Sequence, residues 1–400
     1  MTTAAGAGSP TPERVVIVSR IYRPEPAAAS LFLGSVADAL LERGHEVEVL
    51  TVTAPRALGE GSRGERIRRF PVLRDRSGYV RGYVQYLSFD IPLAFRLLFA
   101  RRPAVVLVEP PPTTGAVVRV LCALRRIPSV YDAADIWSDA AGHATSSGFV
   151  VRALRWVERF AMRGAAAMCT ISEGVVGRVR ELGVRTPMTV TGFGADTSVF
   201  RYVEAPIERV FLYAGTYTEL HGAGILVDAF AIFDATRPGY RLRFIGNGTG
   251  REELRARAER LGIGDRVEFL EPVPAEALRP QLCGAVASLA TLAPEGGYEY
   301  AFTSKAYSSL ASGCPVIFSG PGPTAAFMRE AAESAPVGAA VDYDAEAIAD
   351  AMRDAADRPL PPGERRRLSD WAAAEHSMLA TGRRVGEVVL GAARPGRRSS

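Results

Sequence analysis

The stretch YEYAFTSKAYSSLASGCPVIFSG, Tyr298 to Gly320, carries the residues best arranged for chemistry. Thr303 and Ser304 have the side chains of a helix N-cap, which places Lys305 in the first turn of a short helix. A cation there opposes the helix dipole by roughly a few tenths of a kcal/mol unless an anion sits opposite. The spacing therefore fits a diphosphate seat, against the plain alternative of a solvent-facing lysine. Two Gly-rich turns, LYAGTYTELHG and FIGNGTGREEL, put Gly215, Thr216 and His221, then Gly246 and Asn247, directly after apolar runs. Such turns let backbone amides approach phosphate, although any tight strand-to-helix junction also favours glycine. Arg251 and Glu252 suit a solvated first helical turn.

Earlier in the chain, PSVYDAADIWSDAAGH gathers Asp132, Asp135, Asp139 and His143 around Trp137. Carboxylates for hydroxyls and an aromatic face for a ring are the usual means of holding a sugar. Helix capping by Asp135 or Asp139 is the simpler account. RIYRPEPAAAS offers Pro24, Glu25 and Pro26 ahead of a helix start, suited to an anionic or hydroxylated ligand, or merely to a rigid turn.

The elements that must position these groups repeat one rhythm, a short β-branched run followed by an amphipathic helix. RVVIVS, HEVEVLTV, AVVLVE, PSVYDAA and AAAMCTIS form a first set of strands, with helices near 30–43, 114–125 and 149–163. Gly44 stops the first of these helices. FRYVEAPIER breaks the rhythm and reads as a linker. VFLYAG, RLRFIG, RVEFLE, AVASLAT and PVIFSG form a second set. The pattern predicts an α/β protein with two doubly wound, Rossmann-like domains facing across a cleft, and ligands outside the carboxyl ends of the strands. The expected divisions are a flexible leader over 1–13, an N-terminal domain over 14–200, a C-terminal domain over 201–375, and a helix with a basic tail over 376–400.

At 400 residues and 48% apolar composition, the chain can bury two cores. No apolar run reaches the roughly 20 residues of a membrane span. MTTAAGAGSPTPER lacks the form of a secretion signal, so a cytoplasmic protein is expected. Cys122, Cys169, Cys283 and Cys314 are scattered in apolar contexts and read as buried thiols rather than metal ligands. From Arg63 to Arg102, ten arginines face three carboxylates, so this stretch is more positive than the whole chain at +4. With Tyr79, Tyr83, Tyr86, Phe89 and Phe95 it suggests peripheral contact with an anionic membrane, against a solvated face with core aromatics. No recognised module accompanies the charge, which argues against nucleic acid.

Taken in order, YRPEPAAAS, VEPPPTTG, DIWSDAA, TISEG, GADTSVF, LYAGTYTELHG, FIGNGTGREEL and TSKAYSSLASGCPVI resemble the family-4 retaining glycosyltransferases of the GT-B fold. The likeness runs from Arg14 to Glu375 and is greatest to the bacterial polysaccharide branch that includes N-acetylfucosamine transferases. It implies a hexosyl- or N-acetylhexosaminyltransferase without metal or cofactor, whose donor is a nucleoside diphosphate sugar of UDP or GDP type. By the same resemblance, Ser304 and Lys305 contact the diphosphate, Thr303, Gly215, Thr216, His221, Gly246 and Asn247 line the donor site, and Pro272 and Val273 meet the base. Asp135 faces the sugar or the acceptor, with Pro24, Glu25, Pro26, Trp137 and His143 on the acceptor side. The acceptor class is a glycan, a lipid-linked sugar or a small natural product.

Two departures accompany the likeness. The family's two glutamates, eight positions apart, are replaced by Tyr300 and Ser308, with Glu295 and Glu299 out of register. The basic residue usual after the C-terminal domain's first strand gives way to Thr218, Glu219 and His221, and a protonated His221 would serve the phosphates. A non-catalytic GT-B partner protein and a sugar-nucleotide epimerase are the alternatives, although the extra acid/base pairing of an epimerase is not visible.

Overall fold

Strands that read as unbroken apolar runs need cover on both faces, and the chain supplies it by crossover helices between parallel strands. The computed structural model describes residues 12–25, 27–54, 61–75, 80, 82–139, 147–217, 221–294 and 299–394. Pro26, His143, Thr218, Glu219 and Glu295 lie outside the described residues. The first sheet contains β1 (Arg14–Val18), β2 (Glu46–Val52), β3 (Arg66–Phe70), β4 (Val105–Val108), β5 (Ser129–Ala133), β6 (Ala167–Thr170) and β7 (Met188–Val190). Their order is β3-β2-β1-β4-β5-β6-β7, and every neighbouring pair is parallel. The second contains β8 (Val210–Ala214), β9 (Arg241–Ile245), β10 (Val267–Leu270), β11 (Ala287–Thr291), β12 (Val316–Ser319) and β13 (Gly338–Val341), in the order β10-β9-β8-β11-β12-β13, also parallel. Two Rossmann-like domains are thus present, each with a point where the strand order reverses: β1 against β4, and β8 against β11.

The helices, in chain order, are α1 (Ala28–Glu42), α2 (Tyr83–Phe99), α3 (Pro112–Arg125), α4 (Gly148–Arg163), α5 (Glu173–Glu181), α6 (Gly224–Asp234), α7 (Arg251–Arg260), α8 (Ala275–Gly284), α9 (Lys305–Ala311), α10 (Pro323–Ala331), α11 (Ala345–Asp357), α12 (Pro362–Glu375) and α13 (Met378–Ala393). Two elements fall inside the arginine-rich stretch that sequence reasoning left without structure. β3, RIRRF, is an edge strand paired only with β2, where charge is tolerated because one side is open. Its Arg68 pairs with Glu48, and its Arg69 donates to the carbonyls of Val52 and Arg23. α2 keeps its helix through Pro92.

Where the sequence suggested one crossing near residue 200 and a separate segment over 376–400, the chain passes between its two compact units several times. The first unit ends at Thr170, regains Val179–Thr191 and takes everything from Thr381, while the second holds Ile171–Arg178 and Gly192–Ala380. The last helix returns because it fits against α1. A Cβ on Gly382 would stand 2.4 Å from the carbonyl oxygen of Ser35, so only glycine permits that approach. Arg383 pairs with Glu42, Arg394 with Glu13, and Arg384 donates to the Thr191 carbonyl at 2.8 Å.

In the second unit, Phe211, Phe230, Phe233 and Phe244 pack with Leu226 and Val227 into the core between β8, β9 and α6. Arg365 is fully buried and donates to the carbonyls of Leu360, Cys283, Ala285 and Val286, which secures the start of β11 against α12. All four cysteines are buried free thiols. Among the described residues no helix is long and apolar enough to cross a membrane.

Candidate active site

In the second unit, β8 lies between β9 and β11 at the reversal of strand order, so the residues just beyond β8 and β11 flank the natural ligand position. β8 ends in Tyr213 and Ala214 and is followed by Gly215. Lys305 opens α9 and reaches over this strand end. Its Nζ donates to Tyr213 Oη at 2.6 Å and stands 3.8 Å from the centre of the Tyr213 ring. A Cβ on Gly215 would be 3.3 Å from Lys305 Cε and 3.4 Å from Nζ. The lysine thus rests against bare backbone on one side and an aromatic face on the other.

Burial pushes the Lys305 ammonium down to about 7, and among the described residues no carboxylate pairs with it. A buried cation without a counter-charge is costly, and an anionic ligand removes that cost. His221 is half-buried nearby. Burial first, then the positive charge of Lys305, lower it to about 4, so His221 is neutral at neutral pH, contrary to the protonated role considered from sequence. A neutral imidazole still donates one hydrogen bond.

The loops after β8 and β9 are locked together. Gly246 has φ of +149°, and a Cβ there would lie 2.0 Å from the Gly215 carbonyl oxygen. Tyr217, itself buried, donates from Oη to the Gly246 carbonyl at 2.9 Å, and Tyr213 Oη donates to the Thr216 carbonyl at 2.8 Å. Thr216 and Asn247 are exposed beyond these strands, as are Pro272 and Val273 beyond β10. Since β10 is two strands from β8, the ends of β10, β9 and β8 form a ledge about 10 Å long at ordinary strand spacing.

The residues around α9 serve this ledge unequally. Thr303 is buried, its backbone N–H held by Thr324 Oγ1 at 2.8 Å. Ser304 occupies the cap position with helical dihedrals, but its side chain makes no capping hydrogen bond and is exposed. The capping role expected from sequence is therefore absent, which leaves its hydroxyl open to a ligand. Ser308 follows Lys305 by one helical turn and shares its face. Glu299 is half-buried and its carbonyl lies against Gly322, while the backbone of Tyr300 packs on Gly174.

In the first unit the reversal point gathers residues that sequence reasoning missed. Ser19 and Arg20 follow β1, and Glu109 follows β4. Ser19 Oγ lies 2.9 Å from Glu109 Oε2, and burial raises that carboxyl to about 7 against the pull of Arg20. The Arg20 guanidinium sits 4.1 Å over Tyr86 and 5.8 Å from Trp137, and donates to the Val80 carbonyl. Asp132 and Asp135 stand at the end of β5, and burial raises both. Asp135 keeps an exposed face. Capping by Asp135 is not what holds the following turn, because Glu158 accepts the backbone N–H groups of Trp137 and Ser138 at 2.7 and 3.1 Å.

Glu25 spends its charge on Arg74, at 3.1 Å, and the preceding Arg23 is tied to Asp38 and the Gly34 carbonyl. The loop of Pro24 and Glu25 is thus braced by these contacts. One signal was available in the sequence for the groups overlooked: Glu109 directly ends an apolar strand run. For Lys305, already singled out, a further signal is that it is the only lysine among 48 Lys and Arg residues. Where every other Lys or Arg position is arginine, the single lysine marks a position filled by a compact ammonium.

That singularity makes the amine directly measurable. Reductive methylation with a 13C label gives one side-chain amine signal in this chain, and its titration is expected near pH 7 rather than near 10.4, the ordinary lysine value. A nucleoside diphosphate raises it, because the anion favours the protonated form. A midpoint at the ordinary value in the free protein would show that the amine is solvated.

A glycosyl transferase 4-like domain model matches residues 29–194, and a glycosyl transferases group 1 model matches residues 208–358. No curated protein matches the chain in sequence. Among solved structures, it is similar to sucrose-phosphate synthase from Thermosynechococcus elongatus, at 18% identity and TM-score 0.69, over 95% of this chain and 98% of that one. It is also similar to Anabaena Alr3699/HepE in complex with UDP, at 16% identity and TM-score 0.67, over 95% and 100%. A glycosyltransferase from Rickettsia africae ESF-5 aligns at 11% identity and TM-score 0.66, over 96% and 100%.

Proposed function

The chain belongs to the glycosyltransferases of the GT-B fold, and from that premise we propose that it moves a sugar from a nucleoside diphosphate sugar to a hydroxyl acceptor with retention of configuration. The observation that carries this reading is the chain's single lysine, Lys305, half-buried above the Gly215 backbone with no carboxylate paired to it among the described residues. On this reading the second unit takes the donor. The pyrophosphate meets Lys305, Ser304 and the backbone beside Gly215, and the nucleoside runs along the ledge past Gly246 and Asn247 to Pro272 and Val273. Ser308 replaces a carboxylate as the partner of the ribose hydroxyls. UDP is the first nucleotide to test, given the UDP in the Alr3699/HepE structure.

As the bond between the anomeric carbon and the diphosphate oxygen breaks, the electron pair stays with the diphosphate, and Lys305 meets the charge that develops there. The acceptor hydroxyl attacks from the same face, so no enzyme nucleophile is used. Lys305 supplies the cation, and the reading invokes no metal ion. The first unit takes the acceptor, and on this reading Asp135 meets its hydroxyls and Trp137 a sugar ring.

Calorimetry of the full chain against UDP, GDP, dTDP and CDP tests the donor assignment. One nucleotide is expected to bind, with proton uptake at pH 8, where free Lys305 is mostly neutral and the bound anion recharges it. Binding of none of the four, together with no hydrolysis of the corresponding sugar nucleotides, would favour a non-catalytic partner protein and overturn the transferase reading.

A further inference from the structure

Of the aromatic residues that the sequence sets beside the charge surplus, Phe95 is exposed, Phe89 and Tyr86 are turned inward, and Tyr79 lies outside the described residues. Phe89 is buried, and Tyr86 lies beneath Arg20. What the structure exposes instead is one side of α2. Val84, Leu87, Ile91, Phe95 and Phe99 recur at helical spacing and are between 53% and 79% exposed, whereas Phe89, Leu93 and Leu97 face the core. A surface helix ordinarily turns its apolar stripe inward, so a second stripe turned outward is one that no described residue of this chain covers.

α3 packs against both α2 and α4, and the neighbouring helices continue the exposed apolar surface with Leu124 and Trp156. Charge on the three helices is one-sided. They carry seven arginines, and their only carboxylates, Asp90 and Glu158, are buried, the first accepting from Thr114 and the second from backbone amides. Between α3 and α4, Arg119, Arg159 and Arg163 line an open cavity of about 260 Å³ with Trp156 and Phe160, and no carboxylate enters its wall. Arg119 stacks 3.9 Å over Phe160, which is itself stacked on Trp156. An apolar stripe with an aromatic flank and a cationic cavity, free of exposed carboxylates on its helices, complements a surface that is apolar below and negatively charged above.

We propose that this outer face of α2, α3 and α4 docks on an anionic lipid bilayer, with the α2 stripe entering the interface and the arginine cavity taking a lipid phosphate. The proposal is independent of the donor assignment and supplies a place where a lipid-linked acceptor would be met. The full chain is expected to co-sediment with phosphatidylcholine vesicles containing phosphatidylglycerol and not with phosphatidylcholine alone, with binding weakened by salt. Trp156 fluorescence is expected to shift blue on binding, and Trp156→Phe to remove that shift.

Ile91→Ser with Phe95→Ser, both on the exposed side, is expected to lower vesicle partition by roughly tenfold or more, as loss of buried apolar surface implies. Arg159→Glu is expected to weaken binding mainly at low salt. Unchanged melting and nucleotide binding in these variants establish that they are folded. Absence of binding to the anionic vesicles at low salt overturns the proposal, as does full binding by the double variant. A wild-type dimer in sedimentation equilibrium that the double variant makes monomeric also overturns it, and gives the face to a second copy of the chain.

Discussion

Lys305→Ala lowers turnover of the sugar nucleotide by roughly 10- to 1000-fold, the range seen when one preorganised donor to a developing charge is removed. The expectation rests on geometry. The amine is fixed by Tyr213 Oη at 2.6 Å and by the Gly215 backbone, so it reaches its position without reorganising when the diphosphate departs. It is also the chain's only lysine, and no other ammonium can substitute. The loss should fall mainly on kcat, because charge on the leaving diphosphate is greatest in the transition state. Lys305→Met keeps most of the volume and is expected to behave like alanine. Lys305→Arg is expected to rescue poorly, since the wider guanidinium must fit between the Tyr213 ring and the Gly215 backbone.

The pH profile separates this role from simple packing. With the free amine at about 7, the wild-type rate at low donor concentration declines as pH rises above that value, and the alanine variant loses this dependence. Single-turnover measurements across pH make the comparison. Unchanged kcat in Lys305→Ala would remove Lys305 from the reaction.

The second large effect is structural. Gly246→Ala places a methyl group 2.0 Å from the Gly215 carbonyl oxygen at a φ of +149°, where L side chains are strained in any case. The loops after β8 and β9 cannot both keep their positions, and the Tyr217 bond to the Gly246 carbonyl is lost with them. A destabilisation of about 2–4 kcal/mol is expected, combining backbone strain with a lost buried hydrogen bond. Nucleotide binding should disappear because Lys305 rests on the displaced loop. Gly250→Ala is the control. Its φ is −83°, and the nearest atom to an added Cβ is 3.4 Å away, so stability should change little. Thermal unfolding and nucleotide titration of both variants check the pair, and equal behaviour would show that the close approach at Gly246 is not rigid.

Much of this arrangement was legible in the residue order. The β-branched runs at β1, β4, β5, β8 and β9 declare buried parallel strands, and the glycines after β8 and β9 declare tight junctions. Lys305 beside Ser304 suggested an anion seat, although the cap that was read there is not formed. β3 and α2 escaped notice for one reason. Each carries residues its environment permits only at an edge or at an outward face, so neither shows the usual pattern of an element packed against a core.

What the sequence determines by itself is local: which segments alternate or repeat at helical spacing, where glycine must break them, and which single lysine the chain retains. What only the tertiary structure decides is adjacency. Tyr213 under Lys305 joins residues 92 positions apart, and Ser19 beside Glu109 joins residues 90 apart. These meetings depend on β8 lying beside β11 and β1 beside β4. Hydrophobic periodicity reports how a segment sits on its own core, but strand order is fixed by packing summed over whole domains, which no short window of residues contains.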